Sequence, residues 1–411
     1  MPYGASSTAL QADEERILSS LPTPSLEWSI YPVGARNFFE DYWEKQTLVV
    51  NRNQPGYFSA LLSLSEIDRV ITTLDRRCPE ITLKNAKREI TSEDYSTPGG
   101  RLDVAKVYQL FQEGATIALA FLDTVVPSLT LFCRTLENEL SHPCQTNVYL
   151  TPPGAQGARP HYDTHDVFVL QVEGSKKWTI YGTPVELPLS GQEFDAAAHQ
   201  LGARTLEFVL EAGDAAYIPR GVVHEAQSVD DVSLHITAGV LRYTWTDLLL
   251  ETVAYAALHD PAFRKALPAG FSRSDFDTAQ AAQTARSLLE RASSAANFGA
   301  ALDRFVDEFI SSRPPVLAGQ MAQVAELDRL NINALAGARP GLSYRLDRVG
   351  DTASLRCYGR EIGFPGSALD AVRFALSHEK FVVRDLPGNL DEAGKLTLVR
   401  RLIREGLVMA L

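Results

Sequence analysis

The sequence predicts a mixed α and β chain: a central antiparallel β-barrel, then a helical segment, then a smaller region of strands and helices. Three observations carry this prediction. Between Thr146 and Leu241 short β-rich runs recur at even spacing with Gly/Pro turns between them. After Tyr243 the apolar period switches from two to steps of three and four. At 411 residues the chain also exceeds one ordinary core, so two or three domains are expected.

Taken in order, the first 140 or so residues mix short helical and strand patterns. Phe38, Phe39, Tyr42 and Trp43 form an aromatic helical stretch, and Thr47 to Val50 reads as a strand. Tyr108 to Phe111 and Ile117 to Phe121 add core elements. The barrel strands are expected at 147–150, 167–172, 178–181, 206–210, 215–218, 223–227 and 232–240. Pro152-Pro153-Gly154, Glu173-Gly174-Ser175, Ala212-Gly213-Asp214 and Pro219-Arg220-Gly221 supply the turns between them. Their spacing suggests a closed or nearly closed antiparallel barrel. Beyond it, 246–258 and 279–310 read as long alanine-rich helices. Phe298, Leu302, Phe305, Val306 and Phe309 mark one apolar face of the second. Ser312-Arg313-Pro314-Pro315 reads as a linker, and helices are expected again at 368–376 and 391–405.

Bulk properties exclude some functions. A formal charge of −12 disfavours general binding to nucleic acid or anionic membrane, since both attract positive surfaces. From Pro365 to Leu411 seven Lys/Arg face six Asp/Glu, a poor footprint for phosphate contacts. Cys78, Cys133, Cys144 and Cys357 form no CxxC pair and read as free thiols in a reducing compartment. The first 20 residues lack a basic region followed by an apolar one, and no apolar run reaches 18 residues. A cytoplasmic protein is the expectation.

The chemistry concentrates in Arg159-Pro160-His161-Tyr162-Asp163-Thr164-His165-Asp166. On an extended backbone residues i and i+2 share a face, so His161 and Asp163 can aim at one point. About 60 residues later, Gly213-Asp214-Ala215-Ala216-Tyr217-Ile218-Pro219-Arg220-Gly221 forms a strand and a turn and delivers His224. Two imidazoles and one carboxylate leave coordination positions open, which suits iron(II) that must also bind a co-substrate and dioxygen. His165 and Asp166 are the nearest rivals. His165 lies further along the same face and is expected to support the ligands or face substrate. His142, His199, His259 and His378 read as packed or surface residues. Lys176 opens the neighbouring strand. By itself it would be a solvated turn lysine, but inside a barrel such a cation would require a carboxylate partner.

Several segments resemble one family. Asn147-Val148-Tyr149-Leu150-Thr151-Pro152-Pro153, Pro160-His161-Tyr162-Asp163, Phe168-Val169-Leu170-Gln171-Val172-Glu173-Gly174 and Trp178 are similar to Jumonji C-type ribosomal oxygenases. So are Tyr42-Trp43-Glu44-Lys45-Gln46, Pro55-Gly56-Tyr57-Phe58 and the C-terminal Lys395 to Leu402, so the resemblance spans nearly the whole chain. It implies a double-stranded β-helix (cupin, or jelly-roll) barrel over 1–242. A helical dimerisation domain over 243–315 and a winged-helix-like domain over 316–411 would follow.

The resemblance also implies that His161, Asp163 and His224 bind Fe(II) and that Lys176 pairs with the distal carboxylate of 2-oxoglutarate. Asn147 and Tyr149 match positions facing the co-substrate, and Thr237, near His235 on the last barrel strand, is a further lining candidate. The activity implied is oxidative decarboxylation of 2-oxoglutarate coupled to hydroxylation of a ribosomal-protein His or Arg side chain. An acidic chain would suit such a basic partner. The alternatives are a same-fold oxygenase acting on another peptide or demethylating lysine, and, from another class, a winged-helix nucleic-acid-binding regulator.

Overall fold

The structure, a computed structural model, describes residues 24–411. The N-terminal stretch read above for a secretory signal lies outside the described residues, apart from its neighbours from 24 onward. Ten strands build the part that carries the motifs: β1 Leu48–Val50, β2 Ile81–Lys84, β3 Thr116–Leu119, β4 Cys144–Thr151, β5 Asp166–Glu173, β6 Ser175–Ile180, β7 Leu206–Glu211, β8 Ala215–Ile218, β9 His224–Ser228 and β10 Ser233–Val240. A seven-stranded sheet runs β1-β8-β5-β10-β4-β3-β2, and a three-stranded sheet runs β7-β6-β9. The pairings within both are antiparallel.

The alternation along β5 shows how the layers stack. Val167 and Val169 meet Trp178, Ile180 and Leu210 of the small sheet. Phe168 and Leu170 point the other way, into the main core with Phe38, Phe132 and Tyr217. The large sheet is therefore buried on both faces, which explains why β5 and β8 read as continuous apolar runs. Phe38, on helix Ala35–Asp41, packs its ring 4.9 Å from Tyr217 and 5.6 Å from Phe168. The aromatic stretch expected to be helical through Trp43 leaves the helix at Asp41, and Trp43 stacks on Tyr217.

The ladders do not run round into one closed ring, which corrects the closed-barrel expectation. The β5–β6 hairpin turns through Gly174, whose φ of +63° and contact with Val232 O leave no room for a Cβ. On the opposite side only single bridges, Gln156–Gln227 and His161–His224, stitch β9 to the segment after β4. That segment holds Pro152, Pro153 and Pro160, which have no N–H to give a ladder.

Helix Trp245–His259 begins at a capping box between Thr244 and Asp247. The single long helix expected over 279–310 is two, Thr278–Ala292 and Ala295–Ser311. Ser294 interrupts them, its hydroxyl accepting from Asn297 N–H as an N-cap. Phe305 and Phe309 of the apolar stripe pack on Tyr243, at 4.6 and 6.1 Å between rings. The 312–315 segment is anchored by Arg313, whose Nη1 donates to buried Glu137 at 2.6 Å. The C-terminal region has its own core, including Val372, Phe381 and Leu402. Around it lie strands β11 Leu335–Ala338, β12 Arg345–Val349, β13 Thr352–Cys357, β14 Arg360–Pro365, β15 Phe381–Val382 and β16 Val408–Ala410. They form sheets β15-β11-β16 and β12-β13-β14, accompanied by helices Leu369–Ser377 and Glu392–Arg404. Among the described residues no helix is long and apolar enough to cross a membrane.

Candidate metal centre

His161, Asp163 and His224 come together, with one ligand atom of each within 4.8 Å of the others. They do so without the regular strand expected for 161–163. His161 makes only a single bridge, exchanging backbone hydrogen bonds of 3.1 and 2.8 Å with His224 at the start of β9. Asp163 is tied to the same turn, because its carbonyl accepts from Gly221 N–H at 3.0 Å. Gly221 has φ +84°, and a Cβ there would meet Val185 O at 2.2 Å, so the turn needs glycine.

Backbone carbonyls fix both imidazoles. His161 Nδ1 lies 2.8 Å from Arg159 O, and His224 Nδ1 lies 3.0 Å from Val222 O. A carbonyl can only accept, so each Nδ1 carries a proton, and in the neutral ring this leaves the lone pair on Nε2. Burial pushes the His224 pKa down to about 4, with His161 adding to the effect. Burial opposes the Asp163 charge, but the surrounding His224, His165, His161 and Lys84 outweigh it and hold its pKa below the ordinary value. Neutral imidazoles and an ionised carboxylate are the forms a metal ion requires.

The two rivals in the motif are accounted for. Asp166 is fully buried and occupied: it accepts from Tyr217 Oη at 2.9 Å and pairs with Arg220 Nη1 at 2.7 Å. Arg220 also meets Glu44 at 2.6 Å. This cluster braces the turn that delivers His224. His165 packs over Gly239, where a Cβ would come within 2.6 Å of its ring, and contributes no ligand atom to the converging set.

A cavity opens between the two sheets beside these ligands. Lys176, Tyr149 and Thr237 line it; Asn147 is not among the lining residues, and its Oδ1 accepts from Phe121 N–H at 3.3 Å. Lys176 is 4% exposed and has no carboxylate partner among the described residues. Its ammonium donates to Thr151 Oγ1 at 3.0 Å, and burial lowers its pKa to about 7. His235 stacks on Tyr149 at 5.0 Å, its pKa well below normal because of burial and the nearby Lys176. Two buried ring nitrogens of lining residues, Trp178 Nε1 and His235 Nδ1, have no hydrogen-bond partner.

Sequence reasoning missed Thr116, Thr151 and Lys84. The signal for Thr151 was available, since it shares the strand face of Tyr149 and Asn147 two positions away. The four histidines read as structural stay outside the site. His142 stacks on Trp43 at 6.2 Å, His199 lies against Phe194 and Tyr162, His259 bonds to Tyr255 O, and His378 bonds to Phe374 O.

Comparison with known proteins bears on the same region. The JmjC domain model matches residues 125–248. Ribosomal oxygenase 1 of Danio rerio is 30% identical over 439 aligned residues, covering 93% of this chain and 78% of that protein. The Drosophila erecta "bifunctional lysine-specific demethylase and histidyl-hydroxylase NO66" is 36% identical over 262 residues, 59% of this chain and 38% of that much longer protein. Among solved structures, the Escherichia coli ribosomal oxygenase YcfD, in complex with cobalt and 2-oxoglutarate, aligns with a TM-score of 0.54. That alignment covers 92% of this chain and 98% of the other at 16% identity, which is a likeness of fold.

Proposed function

Because this chain belongs to the ribosomal oxygenase family of Jumonji C proteins, we propose that it is an Fe(II)- and 2-oxoglutarate-dependent hydroxylase of a ribosomal-protein His or Arg side chain. The observation that carries this reading is a two-His, one-carboxylate set beside a buried lysine that no carboxylate among the described residues neutralises. The donor set suits iron(II): borderline nitrogens and one oxygen on one side, the rest open. The cavity suits a 2-oxo dicarboxylate, because among the described residues Lys176 lacks a counter-charge and two lining ring nitrogens lack partners.

His161, Asp163 and His224 would hold the metal. Bound with 2-oxoglutarate, iron(II) would supply oxidative decarboxylation by dioxygen, one oxygen atom going into succinate with release of carbon dioxide and the other into a C–H bond. The chain's own residues bind and orient. The two carbonyl-bound Nδ1 protons aim the Nε2 lone pairs. Lys176 receives the distal carboxylate while Tyr149 and Thr237 shape the walls. The apolar side chains of Val167, Val169 and Trp178 keep the space between the sheets dry.

The same reading divides the chain into a catalytic part to 242, a helical dimerisation part to 315 and a winged-helix-like part beyond. Support for a homodimer comes from apolar side chains left bare on and after helix Trp245–His259: Trp245 at 74%, Leu250, Leu258, Leu267 and Phe271. Support against nucleic-acid binding comes from the charge balance from Pro365 to Leu411, seven Lys/Arg against six Asp/Glu, and from three of those cations being engaged within the chain. Arg400 donates to the carbonyls of Leu327 and Leu330, Lys395 donates to Arg384 O, and Arg401 lies 4.7 Å over Phe364. Free thiols, three buried and one exposed, fit a reducing, cytoplasmic setting.

The test is to purify the protein anaerobically and add iron(II), 2-oxoglutarate, oxygen and a total ribosomal-protein extract. Succinate and peptide masses are then followed for wild type and His161→Ala. Loss of an outer partner of a metal ligand typically costs 10–100-fold, so loss of the ligand itself should cost about 100-fold or more. One added oxygen on a ribosomal peptide is expected. Formaldehyde release instead would redirect the reading to demethylation, and failure to bind either iron or 2-oxoglutarate would overturn it.

A further inference from the structure

Lys84 ends β2, the outer strand of the large sheet, and lines the same cavity as Lys176 and the three candidate ligands. It is exposed, and its ammonium meets no carboxylate or other acceptor among the described residues. Its neighbours are engaged: Arg88 pairs with Glu113, and Arg159 donates to Ala86 O. In register Lys84 faces Thr116 on β3. Thr116 Oγ1 donates to Thr151 Oγ1 at 3.2 Å, and Lys176 donates to that same oxygen at 3.0 Å. A row of cation, hydroxyl, hydroxyl and cation thus runs from the sheet edge to the buried floor. The backbone at Gly157 covers the row so closely that a Cβ there would lie 2.7 Å from Thr116 Oγ1.

We propose that Lys84 is an entrance residue that draws the dianionic co-substrate toward Lys176, a role that rests on the 2-oxoglutarate reading above. The physical need is plain. A chain with a net charge of −12 repels a dianion at long range. A lone exposed cation at the mouth of a low-dielectric cleft reverses that field locally, where it sets the encounter rate. Lys176 cannot do this, because it is buried at the far end of the row.

Association of 2-oxoglutarate with the iron(II)-loaded protein can be followed by anaerobic stopped flow, using the visible absorbance of an iron(II)–2-oxo acid chelate. For Lys84→Glu the association rate constant should fall about three- to tenfold at low ionic strength. The gap should close to within about twofold at about 0.5 M salt, where the Debye length shrinks to a few ångströms. Dissociation should change by less than about twofold, because affinity lost through steering appears in the on-rate. Lys84→Gln should fall between wild type and Lys84→Glu. Lys87→Glu reverses an exposed lysine that does not line the cavity and should leave association close to wild type. An unchanged on-rate for Lys84→Glu, an equal drop for Lys87→Glu, or a deficit that persists in high salt would overturn this role and leave the oxygenase reading intact. Wild-type protein that binds iron but no 2-oxoglutarate would overturn both.

Discussion

Lys176 and Arg220 are both buried cations of the same pair of sheets, at 4% and 5% exposure, yet their surroundings differ completely. Arg220 has its counter-charges built in: Asp166 at 2.7 Å and Glu44 at 2.6 Å, with Tyr217 completing the cluster. Burial disfavours its charge, but Asp166 and Glu44 more than offset this, and its pKa is raised. Lys176 has one hydroxyl, Thr151, and burial takes its pKa down to about 7. The first cation serves the fold. The second has no counter-charge among the described residues, as the proposed co-substrate site would require. A buried charge with satisfied partners is weak grounds for a site, whereas one with a missing partner specifies the chemistry of what must arrive.

The sharpest way to break this comparison is Arg220→Met. It leaves Asp166, fully buried, with a tyrosine hydroxyl but no cation, and such losses cost about 3–5 kcal/mol. Urea unfolding should show that drop in midpoint stability, and Co(II) titration should show weakened metal binding, because the turn delivering His224 loses its brace. A cost below about 1 kcal/mol would mean that water replaces the arginine and that the cluster is not the closed unit described.

Lys176→Met should act in the opposite direction on stability. Replacing a poorly partnered buried charge by an apolar side chain of similar length stabilises the ligand-free protein by about 1–4 kcal/mol near neutral pH. The pH dependence follows from the lowered pKa. Between about 7 and the ordinary 10.5 the unfolded lysine holds more protons than the folded one. Wild-type stability therefore rises with pH through that window, relative to the variant, and the difference shrinks toward pH 10.5. The same substitution should weaken 2-oxoglutarate about 10- to 100-fold, the worth of a charge-assisted hydrogen bond to carboxylate. Calorimetry on the ligand-free and ligand-bound protein measures both. A variant less stable than wild type would place Lys176 among structural cations after all.

What was legible in the sequence divides along this line between local and distant partners. His161 and Asp163 were readable because they sit two apart, and His224 because a glycine turn announces it. Lys176 was readable as a lysine opening the neighbouring strand. The role of Asp166 was not, since its partner stands 54 residues further on and Glu44 belongs to the N-terminal region. The row from Lys84 through Thr116 and Thr151 depends on the register of β2, β3 and β4, which no local pattern fixes. Two misreadings had local signals that were underweighted. Pro152, Pro153 and Pro160 forbid the ladder a closed barrel needs, and Ser293-Ser294 offers the cap that splits the long helix. Asn147 was placed in the pocket by the family resemblance, but its side chain instead satisfies Phe121 N–H.

The smallest expected effect tests what Thr151 does for Lys176. Thr151→Val keeps the shape and removes the one hydroxyl that accepts from both Lys176 and Thr116. If that oxygen holds the ammonium in place for an incoming carboxylate, 2-oxoglutarate should bind about fivefold more weakly, the equivalent of about 1 kcal/mol. The pH above which binding weakens should also move down, because the lysine loses the one hydrogen-bond acceptor it has among the described residues. Tighter binding would mean the reverse: the hydroxyl competes with the ligand for the same proton, and Lys176 is positioned by packing alone. In either case Thr116 loses its acceptor, so Thr116→Val in the same background separates the two contributions. No further change on adding it would assign the whole effect to the bond between Thr151 and Lys176.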